Sequence, residues 1–383
     1  MGKKRGRQMN KSIVLGLLLA MLVPTAAFAD GHVSLGGDVR LRYEYSDSAG
    51  LDNGLSARTY INLGAKIDDN TQFTSQVRHG YLFSSAGGTG DNFDIQQSYL
   101  SMADLGSMAP FLGGWSMDIG RMNNPNLGSG RVVNSADWNQ LNGPNNHDGL
   151  KLSSTLGGVG FDLHYWGGND GSDSNAMIFN FDLGDMSGFA NVGFYYVSEG
   201  GTGAADPGWM AFNIDNIGGD ALMGLDLGIE YVSYDADSGG DDGTLTSITV
   251  GYALDQFNLH VSNSVTDDLW ASVNGDPHGT HGIADLVGGA DIDNTTIGVS
   301  TDALMEGVGI TLNCITLATD STGDDIGTEM DLILDFSCGS LGYASFSSDT
   351  AAPDVDYIYW QCSYVFYDIR ASGASRGPNF DLT

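Results

Sequence analysis

Hydrophobic side chains recur at every second position over long stretches of this chain. The first such stretch puts Val33, Leu35, Val39, Leu41, Tyr43 and Tyr45 on one parity and Ser34, Asp38, Arg40, Arg42 and Glu44 on the other. A period of two is the signature of a β-strand with one apolar face. The next stretch sets Leu55, Ala57, Ile61, Leu63, Ala65 and Ile67 against Ser56, Arg58, Asn62, Lys66 and Asp68, and Asp69-Asn70 then supplies a tight turn. The same rhythm returns in Phe161/Leu163/Tyr165, Met177/Phe179/Phe181, Met223/Leu225/Leu227/Ile229/Tyr231, Met330/Leu332/Leu334/Phe336 and Ile358/Trp360/Tyr364.

The length of these stretches changes what the alternation means. Strands of soluble sandwiches run about five or six residues. These run ten to thirteen, at or above the ~9–11 residues of a tilted strand that crosses a bilayer with one face to lipid and one to a watery lumen. The pattern predicts an all-β chain folded as a transmembrane antiparallel β-barrel of 16 to 18 strands, an even number being favoured by closure. Short turns such as Gly184–Gly188 alternate with long polar loops at 198–207, 235–243 and 267–293, the asymmetry of an outer-membrane barrel. Aromatics near strand ends (Tyr43, Tyr45, Tyr81, Phe83, Tyr231, Tyr234, Tyr357, Tyr359) are expected to form an interfacial girdle.

Composition adds the route of export and a charge problem. Residues 1–29 carry five bases and no acid, then an apolar run from Ile13 to Val23, then Ala27-Phe28-Ala29. This is the form of a cleaved secretory signal peptide, and its 11-residue apolar run is too short for the ~20 residues of a spanning helix. The expected organisation is therefore a signal peptide at 1–29, a barrel at 30–366 and a C-terminal tail at 367–383, located in a Gram-negative-type outer membrane. Five of the 15 Lys and Arg lie in the signal, so residues 30–383 hold ten bases against 48 acids, a net charge of −38. Such a chain lacks the basic footprint that nucleic acid requires. Cys314, Cys338 and Cys362 are odd in number and imply no disulfide framework; they read as small apolar strand residues.

One region carries a specific likeness. Ser116-Met-Asp-Ile-Gly-Arg-Met-Asn-Asn-Pro-Asn-Leu-Gly-Ser-Gly-Arg leads to Asp137-Trp138 and then to His147-Asp148-Gly149-Leu150-Lys151, and the opening Gly37-Asp-Val-Arg-Leu-Arg-Tyr-Glu44 has a similar cast. Residues 36–152 resemble the alginate-export family of outer-membrane barrels. The resemblance implies an 18-stranded monomer whose lumen passes an anionic polysaccharide, with Arg121, Arg131, Asp137, Trp138 and Asp148 belonging to an inward constriction loop.

The alternation independently puts Arg40, Arg42, Arg58, Lys66 and Arg78, joined by Lys151, on the lumen face, where bases favour anions. The same residues admit a plainer reading, in which Arg40 or Arg42 pairs with Asp38 or Glu44 and only stiffens the wall. Charge is divided unevenly: residues 30–151 carry 8 bases and 13 acids, residues 152–383 carry 2 and 35. Asp162, Asp226, Glu230, Glu329, Asp331 and Asp335 are expected to face the lumen, so a cation-preferring or general diffusion porin is the alternative, and a plugged scaffold a third. Asp235, Asp237, Asp241 and Asp242 offer oxygen ligands of the kind Ca²⁺ takes, in a spacing that matches no EF-hand. No other cofactor is expected. His278 and His281 lack a third ligand, and no Ser-His-Asp motif stands out, so the chain is expected to be a channel and not an enzyme, with lipid and a polar solute or polysaccharide as its partners.

Overall fold

The computed structural model describes residues 33–47, 54–83, 92–133, 146–167, 175–185, 190–200, 207–217, 224–236, 242–267, 291–350 and 352–370. They form eighteen strands. The first nine are β1 (Val33–Ser46), β2 (Gly54–Lys66), β3 (Thr71–Phe83), β4 (Asn92–Met102), β5 (Trp115–Asn123), β6 (Asn146–Leu156), β7 (Val159–Gly167), β8 (Asn175–Asp185) and β9 (Asn191–Gly200). The second nine are β10 (Gly208–Asp215), β11 (Leu225–Asp235), β12 (Gly243–Leu254), β13 (Phe257–Thr266), β14 (Ile292–Met305), β15 (Val308–Thr319), β16 (Asp325–Phe336), β17 (Gly339–Ser348) and β18 (Val355–Arg370). Each pairs antiparallel with its sequence neighbours, and β18 closes on β1 from Ser46↔Tyr357 to Ser34↔Arg370. Closure leaves the sheet without an edge to aggregate. The expected fold is the observed one, at the upper end of the strand count.

The two ends differ. Two-residue turns at 157–158, 255–256, 306–307 and 337–338 lie at the end where β1 begins and β18 finishes. The opposite end carries the long connections, among them residues 124–145 and 267–291. β18 runs to Arg370, four residues beyond Phe366, so chain assigned to the tail on sequence grounds is strand. Residues 1–29 and the remainder of the tail lie outside the described residues.

Register fixes the faces, because residues opposite one another share a side. Ile119, Leu150, Tyr165 and Met177 stand in one row across β5 to β8. All but the half-buried Leu150 are exposed, as are Leu41, Tyr43, Ile61, Phe212, Tyr231, Met330 and Trp360 elsewhere on the outside. So many large apolar side chains facing outward is the pattern of a lipid-facing belt.

The inward face departs from the expected polarity. Trp166, Ala176, Ile178, Tyr195, Val197, Trp209, Ala211, Val232 and Leu245 form one buried cluster on the inner wall from β7 to β12. Tyr234 packs against it, and Tyr357 is buried on the inner side of β18; neither belongs to the external girdle predicted for it. Tyr359 also faces inward, across from Glu44. These residues follow the lumen parity of their strands, and a position near a strand end says nothing about which face it occupies.

Candidate channel lining

The inner wall of β1, β2 and β3 carries arginines on adjacent strands. Arg40 stands opposite Arg58, Arg42 opposite Ser56, and Arg78 opposite Tyr60. Aromatic rings interleave with them: the Arg58 guanidinium lies 4.3 Å from the Tyr60 ring centroid and that of Arg42 lies 4.9 Å from Tyr359. Such stacking holds a guanidinium in a fixed plane. Part of the plainer reading is present too. Arg42 pairs with Glu44 at 2.9 Å and donates to Tyr357 Oη at 3.0 Å, while Tyr357 Oη donates to Glu44 Oε1 at 2.5 Å. Arg58 lies 3.7 Å from Asp38. Arg78, only 2 % exposed, stands across from Asp94.

On the other side of the barrel a loop folds inward. Residues 124–133 leave β5 and turn tightly, with Gly130 N–H donating to Leu127 O at 2.8 Å and Leu127 N–H to Val133 O at 3.2 Å. Leu127, Val132 and Val133 are buried against the apolar cluster of β7 to β12, which is why that stretch of inner wall is not polar. Fully burying such a side chain is worth about 1.5–3 kcal/mol. Polar contacts fix the position. Ser129 N–H donates to both oxygens of Glu230, at 3.1 and 3.1 Å, and Tyr195 Oη donates to the same carboxylate at 3.1 Å. Arg131 Nη2 donates to Ser264 Oγ on β13 at 2.7 Å. Gly128 has φ +51°, and a Cβ there would overlap Glu230 Oε1, so only glycine lets the loop close on this carboxylate.

The root of the loop is held separately. His147 Nδ1 bonds Asn124 Oδ1 at 2.9 Å, and its ring lies 4.4 Å from that of Trp166. Asn146 donates to Gln96 at 3.1 Å, which donates in turn to Asp94 at 2.8 Å. Alternation and motif assigned no role to Gln96, Asn124, His147, Tyr195 or Ser264. The runs Ala176-Met-Ile-Phe179 and Trp209-Met-Ala-Phe212, apolar on both parities, were the available signal for the loop seat.

The remaining expected residues are placed as follows. Lys66 sits at the short-turn rim, half exposed, 2.6 Å from Asp69 of the adjoining turn. Lys151 faces inward beside His164 and 3.8 Å from Asp162. Asp226, Glu230, Glu329, Asp331 and Asp335 share inward rows with Gly251, Asn213, Ile315, Asn313 and Gly309. Arg121 and Asp148 require correction. They stand opposite each other in the outward row of Ile119 and Leu150, 3.7 Å apart, with Asp148 62 % exposed. Gly120-Arg121 remains inside a paired strand and the loop begins only at Asn124, so neither residue projects towards a constriction. Asp137 and Trp138 lie outside the described residues, as do Asp237, Asp241, His278 and His281. Asp235 ends β11, Asp242 immediately precedes β12, and no group of three metal-binding side chains occurs among the described residues.

A closed antiparallel barrel, apolar outside and with an inward loop on one wall, is the fold of outer-membrane channel proteins. No family model and no curated protein sequence matches this chain. Solved structures do. Pseudomonas aeruginosa OccK11 (OpdR) superposes with a TM-score of 0.68 at 12 % identity, over 88 % of this chain and 97 % of that one. OpdK from the same organism, determined with vanillate, gives 0.67 at 12 % over 88 % and 98 %, and OprD gives 0.61 at 14 % over 90 % and 98 %. The chain thus has the 18-stranded porin fold. The narrower likeness to alginate exporters finds no support in these structures, which are porins of the OprD type.

Proposed function

We propose that this chain is an outer-membrane diffusion channel for small polar solutes, whose passage follows the arginine-bearing wall of β1–β3 and favours solutes with an anionic group. One observation carries the reading. In a closed ring of eighteen strands β2 and β11 are nine apart and so face each other, and the inward loop is fastened to β11 through Glu230. The loop occupies the side opposite the arginines and leaves their wall, with Arg40 and Arg42 half-buried beside the buried Arg58 and Arg78, as the border of the remaining space. Cations lining a narrow aqueous path raise the local concentration of anions. Residues 1–29 serve as its export signal, and the barrel acts as a monomer.

A small anion suits this lumen better than alginate. The inward acids of β16, the buried Glu329 and Asp331 and the exposed Asp335, lie three strands from β1, and a polymer with a charge on every sugar would feel their negative field along its length. The vanillate in the OpdK structure is an aromatic carboxylate, a small solute with a single anionic group. Those same acids favour a second reading, a cation-preferring general porin.

Planar-bilayer recordings of the purified protein separate the readings. Vanillate added to the bath is expected to interrupt the current, and the triple variant Arg40→Gln, Arg58→Gln, Arg78→Gln to abolish the interruption. Cation selectivity with block by organic amines, unchanged in the variant, would establish the second reading. Absence of conductance would leave a plugged scaffold.

A further inference from the structure

We propose that Cys338 and Cys362 form a disulfide site, placed to be oxidised to an intramolecular bridge that staples the β16–β17 turn to β18. Cys338 is the second residue of the two-residue turn between β16 and β17. The residue after it, Gly339, stands directly opposite Cys362, and Ser363 N–H donates to Cys338 O at 2.7 Å. The two cysteines are therefore neighbours on consecutive rungs, and because Cys338 lies in the turn, strand alternation does not hold its side chain to the face opposite that of Cys362; the two thiols act on one another. The backbones come near at this rung: a Cβ on Gly339 would lie 2.7 Å from Cys362 Cα. Directly opposed residues in an antiparallel pair have Cα atoms ~4.5–5.5 Å apart, and one diagonal step is compatible with the ~4.4–6.8 Å that a disulfide spans.

Accessibility orders the chemistry. Cys338 is exposed and Cys362 half-buried. A disulfide-bearing oxidant exchanges first with the Cys338 thiolate, forming a mixed disulfide and releasing one thiol. The Cys362 thiolate then attacks the Cys338 sulfur, forms the Cys338–Cys362 bond and expels the second thiol, so two cysteine protons and two electrons pass to the oxidant. Cys314 faces outward between Ile297 and Met330 and keeps its thiol, which accounts for the odd cysteine count.

The location gives the bridge a structural purpose. β17 begins at Gly339, and the register of β18 beyond Ser363 is continued by β1 alone. The staple sits where two-sided pairing becomes one-sided, the point from which β18 would peel. The geometry stands independently of the channel reading; only the expectation that the bridge forms in the cell rests on export to an oxidising compartment.

The test uses the full-length barrel, purified in detergent, with and without oxidised glutathione, then denatured and treated with a maleimide–polyethylene glycol that adds one mass step per thiol. One step is expected after oxidation and three after reduction. In Cys314→Ser the counts become none and two, and in Cys338→Ser they stay at two under both conditions. Three steps in the oxidised native protein, or a disulfide-linked dimer in place of the internal bridge, would overturn the proposal. A bridge formed with glutathione but absent from protein isolated from cells would contradict the compartment and leave the geometry standing.

Discussion

The inner walls of β1–β3 and β8–β12 use the same alternation for opposite purposes. On β1–β3 the inward positions are Arg40, Arg42, Arg58 and Arg78, of which Arg58 lies over Tyr60 and Arg42 over Tyr359. On β8–β12 they are Ile178, Val197, Trp209, Val232 and Leu245, roofed by Leu127, Val132 and Val133. Lumen parity alone does not make a residue part of the passage. In the proposed reading the arginine wall borders the passage, with Arg40 and Arg42 half-buried and Arg58 and Arg78 buried, while the other wall is the floor on which a loop is mounted.

The largest effect expected is from unseating the loop. Val132→Asp with Val133→Asp would bury two unpaired charges in the apolar seat, each costing several kcal/mol, so the loop detaches. Single-channel conductance is expected to rise several-fold with the barrel intact by circular dichroism. An unchanged conductance would show that the seat does not set the width.

Next comes charge on the arginine wall. Neutralising Arg40, Arg58 and Arg78 together is expected to move the reversal potential in a salt gradient towards cations by tens of millivolts at low ionic strength and by less at 1 M, where the Debye length falls to about 3 Å. Equal shifts at both salt concentrations would speak against a field set by these side chains.

Glu230→Gln gives a smaller change. It keeps the shape but weakens hydrogen bonds to a charged acceptor worth about 1.5–3 kcal/mol, and added flicker between conductance levels is the expected record. Gly128→Ala attacks the same contact from the loop side. A left-handed conformation costs an ordinary residue roughly 1–2 kcal/mol, and the new Cβ also displaces the carboxylate, so its flicker is expected to match that of the Glu230 variant. A quiet channel in either would show that this contact does not latch the loop. Smallest is Lys66→Gln at the rim: an exposed pair contributes about 0–1 kcal/mol, and neither conductance nor heat-modifiability is expected to move.

The barrel was legible in the sequence because lipid and water impose their preferences residue by residue, as in Leu41, Tyr43 and Tyr45 against Arg40, Arg42 and Glu44. The arginine wall was legible for the same reason. The loop seat was not, since Trp209 and Glu230 acquire their partners across long sequence separations: Ser129 lies 101 residues from Glu230, and Arg131 lies 133 from Ser264. Arg121 and Asp148 misled because a motif gives proximity to a loop without giving the face, and a single step of parity turns a side chain from lumen to lipid. Glu230 shows the converse. Its inward direction could be read from alternation, but not that its carboxylate is occupied by Ser129 and Tyr195.

In the proposed reading solute passes the β1–β3 wall and not the β8–β12 wall. Single cysteines at Arg58 and at Val232, each in a background with Cys314, Cys338 and Cys362 changed to serine, test it directly. A negatively charged methanethiosulfonate reagent is added while one channel is recorded. The predicted result is stepwise, irreversible loss of current for Arg58→Cys and none for Val232→Cys. Equal block at both positions, or block at Val232→Cys alone, would contradict it.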